Sequence, residues 1–170
     1  MNSYVLLAKQ AIENYIKEKT PLVLPTGLSP DLLIKKAGVF VTVMKGGELR
    51  GCIGTYLPIR ENIAEEIIYN AVAAATEDNR FESISEEELP QLSYAVYLLN
   101  EPELIKDLKE LDPKKYGIVI KTSYKSGLLL PDLEGIDTIE KQIAIACEKG
   151  GVDPAREKFV IYRFSAEKYQ

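Results

Sequence analysis

A guanidinium, a thiol and two glycines fall within one seven-residue stretch, Leu49-Arg50-Gly51-Cys52-Ile53-Gly54-Thr55. A neighbouring cation favours the thiolate, which is the nucleophilic form of cysteine, whereas apolar surroundings favour the thiol. Gly51 and Gly54 allow a ligand or another backbone to approach closely, and a glycine-flanked turn can aim N–H groups at an anion. Two further segments carry polar groups in suggestive places. Asn70 stands inside the apolar run from Ile63 to Ala75, where it serves either as a link to a loop or as a ligand contact. Asp78 and Arg80 crowd the end of that run, ahead of Phe81, and either pair with each other or face an anionic or polar substrate. Each feature also has a purely architectural reading: cysteines are commonly small core residues, and glycines in strands mark bulges or tight packing.

Composition removes several classes of chemistry. The 170 residues contain no histidine, which excludes Ser-His and Cys-His nucleophile pairs, His-ligated zinc, the facial iron triad and an imidazole general base. The two cysteines, Cys52 and Cys147, lie far apart without CxxC spacing, so neither a disulfide framework nor a zinc ribbon is expected. No metal and no cofactor is indicated. A net charge of −5 argues against a sequence-independent grip on nucleic acid or an anionic membrane. The N-terminal residues are too polar for a signal peptide, and no run approaches the ~20 apolar residues of a membrane span. A cytoplasmic location is the expectation.

The elements that must position these residues follow from periodicity. Residues 3–19 repeat apolar positions at spacings of three and four, an amphipathic helix. Ser29-Pro30-Asp31 opens a short helix that Gly38 stops. Residues 38–44 and the motif stretch form two strands joined at Gly46-Gly47, both of which accept positive φ in a two-residue hairpin. An unbroken register sets Val43 opposite Arg50 and Val41 opposite Cys52. It thereby puts Arg50 and Cys52 on one face with Val39, Val41 and Val43, their Cβ atoms roughly 6.5 to 7 Å apart. Apolar neighbours on both faces predict that this hairpin lies inside the sheet. A nearly enclosed helix spans about residues 60–78, and Ser85 to Glu88 has the capping-box pattern. A strand over residues 93–99, a polar excursion, a second hairpin over 117–131, a helix capped at Asp137-Thr138 and a strand over 159–164 complete the chain. Cys147 falls on the core stripe of that last helix. Strands in hairpins with helices between the pairs define an α+β protein, an antiparallel sheet built from hairpins with flanking helices, and exclude a doubly wound parallel fold.

Read together, Gly38-Val39-Phe40-Val41, the Leu-Arg-Gly-Cys-Ile-Gly core, Asn70-Ala71 through Asp78-Asn79-Arg80-Phe81, Leu111 to Gly117 and Gly127 to Gly135 resemble the AMMECR domain over about residues 4 to 165. The prokaryotic branch, AmmeMemoRadiSam system protein A, is the form most similar. The resemblance implies a single domain over 1–170 with a larger and a smaller lobe facing across a groove lined by the Arg-Gly-Cys segment. It also implies association with a Memo-like protein, itself similar to extradiol dioxygenases, and with a radical S-adenosylmethionine (SAM) protein. Two positions depart from that branch: Tyr97 stands where Asp is expected, and Tyr169 where a His is common near the C-terminus. Three functions are open. Cys52 could act as nucleophile or acceptor, with Arg50, Gly51, Gly54, Asn70, Asp78 and Arg80 binding substrate or anion. The domain could instead be a non-catalytic module for an anionic ligand or protein partner, with Arg50 and Arg80 as bidentate contacts. Nucleic-acid binding is the third, and charge disfavours it.

Overall fold

The computed structural model describes all of residues 1–170. Two compact units divide the chain: residues 1–99 with 167–170, and residues 100–166.

In the first unit, helix α1 (Ser3–Glu18) starts where the Asn2 side chain accepts from Tyr4 N at 2.9 Å and stops at Lys19, which turns left-handed with φ 57°. The short α2 (Pro30–Ile34) begins with proline in its first turn. Strands β1 (Gly38–Lys45) and β2 (Glu48–Thr55) meet at Gly46 and Gly47, with φ of 61° and 86°, the doubly left-handed turn that a tight hairpin needs. Helix α3 (Ile63–Thr76) is capped by Asn62, which accepts from Glu65 N at 2.9 Å. A 3₁₀ segment (Glu86–Gln91), strand β3 (Leu92–Leu99) and strand β8 (Ala166–Tyr169) follow, and the sheet order is β2-β1-β3-β8. Val39, Val41 and Val43 share one buried core with Leu7, Ala11 and Ile12 of α1 and Ile67 and Ala71 of α3. Each of the valine, leucine and isoleucine side chains contributes about 1.5–3 kcal/mol by leaving water.

The second unit repeats the plan. Strands β4 (Glu103–Leu104), β5 (Gly117–Lys121), β6 (Ser126–Leu129) and β7 (Val160–Phe164) form an antiparallel sheet in the order β4-β7-β5-β6, with helix α4 (Ile139–Gly150) against it. Ile118, Ile120, Leu129, Ala146, Cys147 and Ile161 make its core. Cys147 is 1% exposed, as its stripe position requires, and burial pushes its thiol pKa up. In both units the helix after the hairpin crosses the second strand at a glycine. A Cβ on Gly51 would stand 2.1 Å from Ala74 O, and one on Gly127 would stand 1.9 Å from Ala146 O.

The chain is thus α+β with two antiparallel sheets in place of one. Two local expectations are overturned. Strand β2 lies at the sheet edge, not inside it. The hairpin register also shifts by a bulge: Met44 pairs with Leu49 but Val43 pairs with Gly51, which leaves Arg50 as the extra residue. Beyond the bulge every β2 side chain changes face relative to the unbroken register. Gly51 joins Val43 toward α3, and Cys52 pairs with Thr42 on the opposite face.

Candidate functional site

An edge strand exposes unpaired backbone groups, and in β2 the segment after α3 covers them at Cys52. Helix α3 ends at Thr76, and Phe81 N donates to Asp78 O at 3.0 Å in the turn that follows. That turn delivers the Asp78 carboxylate to Cys52: Oδ2 accepts from Cys52 N at 2.9 Å. Arg80 grips the same carboxylate, Nε to Oδ1 at 3.0 Å and Nη2 to Oδ2 at 2.7 Å, and reaches Cys52 O at 3.5 Å. Carboxylate on the N–H and guanidinium on the C=O stand in for a neighbouring strand. The Arg80 hydrogen bonds, opposed by burial and assisted by the N–H of Cys52, hold the Asp78 pKa down to about 2. Arg80 is pushed up in return, mainly by Asp78 and in smaller part by the charge of Cys52.

Arg50 belongs to a second cluster. Its Nε and Nη2 donate to Glu88 Oε1 and Oε2, both at 3.0 Å, while Nη1 donates to Glu82 O at 2.8 Å. Glu88 also accepts from Ser85 N at 3.0 Å and from Lys45 Nζ at 3.0 Å, so the capping-box acid doubles as the partner of the motif arginine. With the Arg50 fork foremost, these donors hold the Glu88 pKa down to about 2. Phe81 stands beside both cations, its ring centroid 5.4 Å from Arg80 Cζ and 6.0 Å from Arg50 Cζ. The cation electrostatically linked to the thiol is therefore Arg80, and the expected Arg50 and Cys52 pairing on one strand face does not form, because the bulge breaks the alternation between them.

Cys52 is half-buried, and its Sγ lies 3.2 Å from Thr42 Oγ1. That pair occupies the face opposite Val41 and Val43, away from the core shared with α1 and α3. The other expected site residues are engaged within the protein. Gly51 admits α3. Gly54 admits β1, since a Cβ there would lie 2.3 Å from Val39 O. Asn70, 1% exposed, donates to Val39 O at 3.1 Å and to Glu66 Oε2 at 3.4 Å.

Glu66 is the residue the sequence reading passed over. It is 1% exposed, and its carboxylate accepts from Ile59 N, from Arg60 N at 2.6 Å and from Thr55 Oγ1 at 3.4 Å as well as from Asn70. A buried carboxylate persists only when donors surround it, and these donors tie the turn before α3 to the helix. The readable signal was an acid four residues before Asn70 on an apolar helix face. Of the two departures, Tyr97 pairs with Phe40 in register and lies under Lys168 Nζ, 5.9 Å from the ring centroid. The Tyr169 ring packs on Tyr4 at 4.7 Å, and its hydroxyl donates to Glu167, which pushes its pKa up to about 12. No group of three His, Cys, Asp or Glu side chains is placed to hold a metal ion.

Fold and site together define an α+β protein of two antiparallel sheets with a glycine-flanked cysteine on a clamped edge strand. The AMMECR1 family model matches residues 5–169, and the chain belongs to that family. A Thermotoga maritima protein is 45% identical over 168 residues, covering 98% of this chain and 97% of its own length. A Clostridium acetobutylicum protein is 41% identical over 168 residues, and this chain spans 36% of that longer one. The crystal structure of an uncharacterized protein from Pyrococcus horikoshii superposes with a TM-score of 0.89 at 34% identity, covering 97% of this chain and 88% of the other. No helix is long and apolar enough to cross a membrane.

Proposed function

We propose that this AMMECR1-family protein works through the Cys52 thiol, as an enzyme or enzyme accessory of the AmmeMemoRadiSam branch. It acts on an electrophilic intermediate handled with a Memo-like protein and a radical SAM protein. One observation carries the reading. Cys52 has both backbone polar groups held by Asp78 and Arg80, while its sulfur, beside Thr42 Oγ1, points away from the core shared with α1 and α3. Such a thiol is positioned by its backbone on a half-buried residue. Thr42 supplies a hydroxyl within reach of the sulfur, and the Arg80 cation interacts with the charge of Cys52, offset by the Asp78 carboxylate that it grips.

A binding or scaffold role is the second reading. It is favoured by the Clostridium relative, in which the same span occupies only 36% of a longer chain, an arrangement suited to a module tethered to a partner. Its version with Arg50 and Arg80 as anion forks has little support, because Glu88 and Asp78 already occupy both.

The deciding experiment is the rate of iodoacetamide alkylation at Cys52 against pH, followed by mass spectrometry. A reactive thiolate gives a rate that has already levelled off near neutral pH and falls with a midpoint well below that of an ordinary thiol. A rate rising only near pH ~8.5 removes the nucleophile and leaves the module. Co-expression with the Memo-like and radical SAM proteins tests the partnership: co-purification lost on Cys52→Ser or on blocking the thiol supports it, and no association under any condition refutes it.

A further inference from the structure

The chain has five arginines, and four of them sit against carboxylates: Arg50 on Glu88, Arg80 on Asp78, Arg156 on Asp153 and Arg163 on Glu103. Arg60 does not. Its backbone N–H is held by Glu66, which fixes where the side chain departs, and its guanidinium stacks on the Tyr69 ring with Cζ 3.9 Å from the centroid. Arg60 Nε is buried and has no acceptor. A guanidinium N–H withdrawn from water without an acceptor is a standing cost, and stacking on one face of the ion does nothing for donors in its plane.

This cation lies on the wall of a cleft of about 460 Å³ in the first unit. That volume falls in the range of small-molecule sites. Tyr15, Leu22, Leu24, Ile68 and Val72 line it with apolar surface, and Tyr69 adds an aromatic edge. Glu65 and Glu77 line it too, yet neither comes within ion-pair distance of Arg60. Two carboxylates and one guanidinium disfavour a bare anion. They suit a molecule carrying both signs on an apolar body.

We infer that this cleft is a binding site for a small amphiphilic zwitterion, of which an apolar α-amino acid is the simplest case. Its carboxylate takes the carboxylate-free guanidinium of Arg60, its ammonium faces Glu77, since Glu65 already accepts from Glu61 N at 3.4 Å, and its side chain lies on Leu22, Leu24, Ile68 and Val72. A bidentate carboxylate on a stacked, partly desolvated guanidinium is the strong form of that contact. The site is built without Cys52, so it stands or falls separately from the thiol reading.

The test is a ¹⁵N-resolved NMR titration of the full chain with L-phenylalanine, 3-phenylpropionate and phenethylamine. L-Phenylalanine produces saturable shifts at the amides of Leu24, Arg60 and Tyr69, and each single-charge analogue binds at least about tenfold more weakly, the size of one lost charged contact. Arg60→Gln lowers L-phenylalanine affinity by a similar factor. Glu77→Gln, at an exposed position, lowers it as well and serves if the first variant is unstable. No saturable shift at millimolar L-phenylalanine overturns the inference. Equal binding by phenethylamine, or shifts unchanged in both variants, overturns it too.

Discussion

Replacing Asp78 by Asn removes the charge from the clamp on β2 while keeping an oxygen that can accept from Cys52 N. The Asp78 pKa falls from 3.8 to about 2 in the folded chain, and at about 1.36 kcal/mol per unit this corresponds to about 2.4 kcal/mol. Asp78 is 6% exposed but the Arg80 side chain is 47% exposed, so solvent screening brings the contribution to roughly 1–2 kcal/mol. A folded-state pKa below the unfolded value stabilises above the unfolded pKa and ceases to do so as pH falls through the folded one. The contribution is therefore complete above pH ~5, down by roughly half at pH ~3 and absent below pH ~2. Urea unfolding of wild type and Asp78→Asn, followed by circular dichroism at pH 7, 4 and 3, reads the gap directly. The expected gap is roughly 1–2 kcal/mol at neutral pH, narrowing toward pH 3. A gap independent of pH means that Asp78 acts through shape and not through charge, and refutes the clamp as described.

The other interactions make sharper or simpler demands. Glu88→Gln weakens the bidentate hold on Arg50 and lowers stability by about 1–3 kcal/mol at pH 7, an effect that fades as pH falls toward the Glu88 pKa of about 2; an equal loss at acidic and neutral pH excludes that partnership. Gly51→Ala drives a methyl group to 2.1 Å from Ala74 O and costs about 1–3 kcal/mol or more, seen as a lowered thermal midpoint; a neutral substitution shows that α3 can withdraw from β2. Asn70→Leu deprives Val39 O and Glu66 of a buried donor and costs about 1–3 kcal/mol in the same assay, with no loss if the amide is dispensable. Iodoacetamide under native conditions labels Cys52 and spares Cys147; labelling of Cys147 without denaturant contradicts its place in the core of the second unit.

Much of this protein was readable from local chemistry. Ser85 and Glu88 form the capping box of the 3₁₀ segment, Thr138 caps α4, and Gly46-Gly47 makes the hairpin turn, because caps and left-handed glycines act over a few residues. The candidate site residues were also legible as types: the cysteine, the aspartate-arginine pair and the buried asparagine all occupy meaningful places. Their partners were not. Sequence periodicity set Arg50 beside Cys52, and the structure separates them by a bulge at Arg50 itself.

The reason is that a strand's register is decided across space. Gly51 must face α3, where Ala74 O leaves no room for a side chain, and the Arg50 fork must reach Glu88, thirty-eight positions along the chain. One extra residue satisfies both demands and sends Cys52 to the other face of the sheet. Sequence alone determined the α+β plan, the family motif and the hairpin turn, since these are stored in short-range patterns of polarity and backbone preference. Which groups meet the cysteine, why Glu66 can remain buried, and which arginine is left without a carboxylate were settled only when distant segments packed together.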